Sequence, residues 1–173
     1  VVGHVYIGVD IGRKKDLTII YVLEKLGDVF YTRAAFTLFN VKFAAQEQFL
    51  WQIISRLKAT RACIDCTGIG AQLAENTVTK FGMYRIEPVT FTNEVKNDLA
   101  TRVLRTFQDR RIRIPISQTL RNDLHSIKKT MTAAGNIRFD AERTKDGHAD
   151  RFWALSLSLM ASDEGAVPSC IIL

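Results

Sequence analysis

A chain of 173 residues, 47% apolar and 24% charged, suits one ordinary domain and is too apolar to stay disordered. Ten Gly and three Pro exclude a collagen-like repeat, and no apolar run approaches the roughly 20 residues that span a bilayer. The formal net charge is +6 and unevenly spread, since residues 96–145 hold twelve Lys and Arg against five acids. A one-sided basic region points to a polyanionic partner, most often nucleic acid. No basic stretch leads into an apolar one at the N-terminus, so no secretory signal is visible. Three Cys is an odd count in a chain long enough to fold without disulfides, so a soluble, intracellular protein is expected.

Residues 5–11 (VYIGVDI) are apolar on both faces and predict a buried strand. Beyond the basic turn GRKKD, residues 17–24 (LTIIYVLE) and 29–38 (VFYTRAAFTL) predict two more strands, joined by short turns into an antiparallel meander. Phe43, Phe49, Leu50, Ile53, Ile54 and Leu57 fall at helical spacing within 43–58. ACID (62–65) reads as a short strand, TGIG opens a helix over 70–81, and RIEPVTF (85–91) reads as a strand whose Pro88 marks a sheet edge. Helices follow from Asn93 to about Asp109 and from Ser117 or Gln118 to about Lys129, with extended IRIP (112–115) between them. Residues of β type flank AAGN and predict a hairpin near 131–139, before a last helix from about Gly147 to Ser162. The fold class is α/β: a mixed sheet in which an antiparallel meander joins parallel strands through helical crossovers, flanked by helices.

Three acids sit where core logic does not place them. Asp10 interrupts an apolar strand, where an ionised carboxylate is costly unless paired, protonated or bound to metal. Asp65 ends the strand ACID just before a Gly-containing turn, the kind of strand terminus where open α/β sheets place their chemistry. Asp146, Asp150, Trp153, Ala154, Leu157 and Ala161 form one helical stripe, acidic at its start and apolar beyond. If Trp153 and Leu157 face the sheet, Asp150 faces it too, with His148 beside it. Clustered carboxylates repel one another until a cation relieves them, and all-oxygen ligands suit Mg²⁺ or Mn²⁺ rather than Zn²⁺.

This order of acids and elements resembles the RNase H-like nuclease fold. The stretches GVDIGRKKDLT (8–18), IDCTGIG (64–70), LRTFQDRRIRIP (104–115), LRNDLHSIKKTMTAAGNIRFDA (120–141) and DGHADRFWALSLSL (146–159) are similar to the C-terminal nuclease domain of tailed-phage terminase large subunits, particularly the Mu-like branch. The resemblance implies a metal-dependent endonuclease that cuts double-stranded viral DNA during genome packaging, through two Mg²⁺ or Mn²⁺ ions. Carried over, the catalytic, metal-holding acids are Asp10, Asp65 and Asp150, with Asp10 shared between the two ions. Asp146, His148 and Asp16 are further candidates for the metal site. It also implies a terminase ATPase domain, a small terminase subunit and a portal as partners, in the host cytoplasm and with no membrane. A phosphate-binding GxxxxGK(S/T) loop is absent, so 1–173 reads as a single nuclease domain without its motor.

Lys96, Arg102, Arg105, Lys128, Lys129 and Arg138 are the candidate DNA contacts, gripping phosphates without reading bases. A non-catalytic nucleic-acid-binding module on the same scaffold, or a resolvase- or transposase-type nuclease, are the rival readings. Cys63 and Cys66 form a C-x-x-C, but Cys63 lies within a strand and Asp65 beside it disfavours a thiolate, which argues against redox or zinc chemistry. Gly68 and Gly70 fit a tight turn after Asp65 better than a dinucleotide fingerprint, because Leu73 stands at the third position. Trp51 and Trp153 read as core residues.

Overall fold

The computed structural model describes residues 1–12, 17–131, 137–141 and 149–163. Strands β1 (His4–Asp10), β2 (Thr18–Leu26) and β3 (Val29–Leu38) form the expected antiparallel meander. Helix α1 (Phe43–Arg56) crosses to β4 (Arg61–Asp65), which runs parallel to β1. Helix α2 (Gly70–Phe81) leads to β5 (Ile86–Val89), parallel to β4, and α3 (Asn93–Gln108) leads to β6 (Ile112–Arg113), parallel to β3. The sheet order is β5-β4-β1-β2-β3-β6, so the strand bearing Pro88 lies at an edge, where the missing N–H breaks no ladder. Helix α4 (Gln118–Ser126), the separate hairpin β7 (Ile127–Met131) and β8 (Ile137–Ala141), and helix α5 (Asp150–Met160) complete the chain.

Strand alternation divides the core into two layers. Val5, Ile7, Val9, Ile20, Val22 and Ile64 pack with Leu50, Ile54 and Leu73 of α1 and α2. Tyr6, Ile19, Tyr21, Leu23 and Cys63 point to the opposite face, which α3 and α5 cover with Leu99, Val103, Trp153 and Leu157. The sheet is therefore buried on both sides, which is why β1 and β2 read as nearly continuous apolar runs.

Two expectations are corrected in detail. Lys128 and Lys129 do not end a helix; they belong to β7, so the hairpin starts at Ile127. Helix α5 is not apolar along one stripe alone, because Phe152 to Leu159 are all buried, as in a helix enclosed by sheet on one side and α3 and α4 on the other. Gly8 makes that enclosure possible: a Cβ there would lie 2.0 Å from the Ala154 carbonyl oxygen and 2.3 Å from the Ser158 nitrogen. Among the described residues no helix is long and apolar enough to cross a membrane.

Candidate metal centre

The register fixes where the first two acids stand. Val9 pairs with Ile64 on the parallel strands β1 and β4, so Asp10 and Asp65 are the next step, at the carboxyl ends of neighbouring strands. Such strands lie about 4.8 Å apart. Asp10 shares its strand face with Tyr6 and Gly8, and Asp65 shares its face with Cys63; both faces are the one that α5 covers.

Helix α5 runs antiparallel to these strands. Its middle, Ala154 to Ser158, lies against Gly8, while just beyond its end the Asp163 carbonyl accepts a hydrogen bond from Arg61 Nη1 at 2.8 Å, at the opposite end of β4 from Asp65. Asp10 is two residues of strand beyond Gly8, about 7 Å. Asp150 is some six residues of helix before the Gly8 contact, about 9 Å in the same direction. The three acids thus share one face and one end of the sheet, and all are buried, at 8%, 6% and 8% exposure for Asp10, Asp65 and Asp150.

Local contacts orient the acids. Asp65 Oδ1 accepts the Thr67 N–H at 2.8 Å, and Gly70 lets the start of α2 close behind it, since a Cβ there would meet the Asp65 carbonyl oxygen at 2.1 Å. Burial pushes the Asp65 carboxyl above its ordinary titration range, opposed by hydrogen bonds from Thr67 and by the charge of Lys96. Asp150 opens α5 after Ala149, whose φ of 62° is left-handed and costs a non-glycine residue about 1–2 kcal/mol. Ala149 offers no side-chain cap; Asp123 of α4 supplies one instead, accepting the Arg151 N–H at 3.1 Å and Arg151 Nη1 at 3.3 Å.

Among the described residues, no three His, Cys, Asp or Glu side chains stand close enough together to hold a metal ion. Asp16, Asp146 and His148 lie outside the described residues. Carboxylate oxygens are the hard donors that a divalent cation prefers, and Asp10, Asp65 and Asp150 are all buried, but by themselves they are not close enough to enclose one ion.

The basic candidates separate into three places. Lys96, in the first turns of α3, is half-buried with its ammonium 4.8 Å from the Trp153 ring centroid and 5.8 Å from that of Phe91, where its charge is felt at Asp65. Arg102 and Arg105 line a cavity of about 430 Å³ at the other end of the sheet, where Arg102 Nη1 lies 2.6 Å from Asp163 Oδ1. Lys128, Lys129 and Arg138 are exposed on the hairpin. Cys63 is buried with its thiol pushed well above the ordinary range, first by burial and then by Glu87. Cys63 and Cys66 are both free. Trp153 is core, while Trp51 is half-buried and donates Nε1–H to Thr77 Oγ1 at 3.1 Å.

Gly8 and Asp123 are positioning residues that sequence reasoning missed. A glycine inside an apolar strand is the one sequence signal of the first, marking a close approach of backbone. Nothing local announces Asp123, whose partner is 28 residues away.

A family model described as the terminase RNaseH-like domain matches residues 7–162. The chain belongs to this family. No curated protein sequence matches this terminase domain. The large terminase nuclease of thermophilic phage G20c with bound magnesium is similar at TM-score 0.77 and 21% identity, over 91% of this chain and 80% of that one. The nuclease domain of Thermus phage P74-26 is similar at TM-score 0.73 and 20% identity, over 95% and 82%. The HK97 bacteriophage large terminase is similar at TM-score 0.72 and 15% identity, covering 94% of this terminase domain, which spans 40% of the HK97 chain. The shared fold is that of the RNase H-like terminase nucleases, and the mixed sheet flanked by helices is the one expected.

Proposed function

We propose that the terminase domain is an endonuclease, dependent on Mg²⁺ or Mn²⁺, that cuts double-stranded viral DNA during genome packaging. The observation that supports this reading is the placement of three buried acids, Asp10, Asp65 and Asp150, on the same face and at the same end of the sheet. Asp10, on the central strand beneath α5, would serve both of two ions, with Asp65 and Asp150 each completing one position. Once bound, the ions supply the positive charge that activates a water and stabilises the leaving oxygen of a phosphodiester. The magnesium-bound nuclease of phage G20c supports the choice of ion.

The chain's own residues orient the site. Thr67 holds one oxygen of Asp65, Asp123 anchors the turn that presents Asp150, and Gly8 lets α5 lie directly on β1. Phosphate contacts from Lys96 and from Lys128, Lys129 and Arg138 would hold the duplex with little base preference and steep salt dependence. Residues 1–173 would form one nuclease domain. The HK97 match, in which the chain spans 40% of a large terminase, supports a motor ATPase domain as its partner; a small terminase subunit, a portal and the host cytoplasm complete this reading.

The test is plasmid cleavage with Mg²⁺ or Mn²⁺, which EDTA should abolish. Losing residues that merely orient metal ligands costs about 10–100-fold, so Asp10→Asn, Asp65→Asn and Asp150→Asn should each cost more than about 100-fold. Parent-like cleavage by Asp10→Asn, or cleavage that persists in EDTA, overturns the reading.

A further inference from the structure

Of the six candidate DNA-binding cations, one is set apart by its surroundings. Lys96 sits four residues past Thr92, which caps α3 by accepting the Val95 N–H at 3.2 Å. Just before that cap, the Phe91 N–H donates to Thr67 Oγ1 at 3.1 Å, and the Cys66 N–H donates to the Val89 carbonyl at 2.9 Å. The turn that carries Asp65 and the start of α3 are therefore one hydrogen-bonded unit. The Lys96 ammonium rests over Trp153, three residues after Asp150, and over Phe91, whose ring centroid is 5.5 Å from that of Trp153. An ammonium held by ring faces keeps N–H donors for another acceptor, since the rings satisfy it electrostatically rather than by conventional hydrogen bonds. Lys96 forms no ion pair among the described residues, although its charge reaches Asp65.

Building on the nuclease reading, we propose that Lys96 grips the DNA phosphate that lies against Asp65, and that its positive charge opposes the divalent cation at the same place. The two halves follow from one position. A phosphate approaching a pair of carboxylates is repelled unless a fixed cation offsets them, and an ammonium–phosphate contact is a charge-assisted hydrogen bond. The same fixed cation repels a second, mobile one, so the site trades metal affinity for substrate affinity. Arg102 cannot take this role, because it is tied to Asp163 at the far end of the sheet.

The proposal requires opposite changes in two binding constants, which a merely structural lysine would not produce. In Lys96→Met, duplex DNA binding measured in EDTA should weaken by at least about 5-fold, with the salt slope reduced by about one. Binding of Mn²⁺ alone, by calorimetry, should tighten by about 3-fold or more, and kcat should fall more than KM rises. Lys96→Arg, which keeps the charge and the ring contact, should restore DNA binding and parent-like Mn²⁺ affinity. Lys80→Met removes the same ammonium-on-ring contact, 4.1 Å over Trp51, and should change neither constant by more than about 2-fold. If Lys96→Met weakens both ligands together, leaves both unchanged, or tightens DNA, the proposal is overturned. Both binding arms are read without cleavage, so a parent protein that fails to cut DNA removes the nuclease reading while leaving Lys96 decided by its own result.

Discussion

Adding one methyl group to the strand beneath α5 should separate the site from the fold. In Gly8→Ala the new Cβ would stand 2.0 Å from the Ala154 carbonyl oxygen, 2.3 Å from the Ser158 nitrogen and 2.9 Å from the Leu157 carbonyl carbon. These are backbone atoms, so no side-chain rotation removes the overlap. Non-bonded atoms settle at about 3.5 Å, so the helix must lift by roughly 1–1.5 Å, or β1 must sink by as much. Overpacking of this kind costs about 1–3 kcal/mol, and a chain of this length loses about 2–4 °C in Tm per kcal/mol, giving a fall of about 2–12 °C. Because α5 begins with Asp150 and β1 ends with Asp10, the same movement changes the spacing of two of the proposed ligands. A misplacement of about 1 Å at reacting groups costs about 100-fold in rate. The assay is Mn²⁺-dependent plasmid cleavage, run 15 °C below the variant's own Tm so that loss of folded protein does not mimic loss of function. Gly27→Ala is the matched control: its φ of +57° makes an alanine strained, yet nothing lies within 4 Å of its Cβ, so it should lower Tm and leave cleavage intact. A Gly8→Ala protein that melts lower but cuts at the parent rate would refute the claim that α5 sets the site through its contact with β1.

Asp123→Ala removes the cap that α5 does not carry itself; it should cost about 1–2 kcal/mol by thermal melt and lower cleavage at least 10-fold. Asp123→Asn, whose carbonyl can still accept the Arg151 N–H, should retain most of both. Far from the acids, hydrogen bonds from Gly3 N–H, then from Val2 N–H, and the Arg33 guanidinium hold the Glu24 carboxyl down from 4.5 to about 2, against the effect of burial. A folded value below the unfolded one means that the ionised form stabilises the fold above about pH 4.5 and that this contribution fades as pH falls towards 2. Glu24→Gln should therefore lower Tm at pH 7 and flatten the acid limb of a Tm-against-pH series; an unchanged acid limb would show that Glu24 is not the group responsible.

What could be read from the sequence and what could not differ in physical kind. The strand at 29–38 and the helix at 70–81 stand where periodicity put them, because alternation and turn chemistry are local properties. Asp10 stood out for a different reason, since a charge inside an apolar run is expensive wherever the chain folds, and Asp65 because it ends a strand just before a Gly-containing turn. Asp150 stood out on the stripe that runs from Asp146 to Ala161, although that stripe understated how far α5 is buried, since the covering of its other face by α3 and α4 is tertiary.

The residues that position these acids were not legible, because their role is a distance rather than a composition. Asp123 is an ordinary helix acid until its oxygen lies 3.1 Å from the Arg151 nitrogen. Lys96 is one of twelve cations between 96 and 145 until two aromatic rings and a buried carboxylate surround it. The charge excess in that stretch suggested one basic surface, whereas the fold sends Lys96 to the acid end and Arg102 and Arg105 to the other, because α3 spans the face between Trp153 and Asp163. Arg102 and Arg105 stand six and nine residues beyond Lys96 on α3, about 9 and 14 Å along its axis, at or beyond the screening length of about 8 Å at physiological salt, so their charge reaches the acid end more weakly than that of Lys96. On the proposed reading, Lys96 is therefore the cation of α3 placed to couple charge to chemistry, while Arg102 is held by Asp163 at the other end of the sheet.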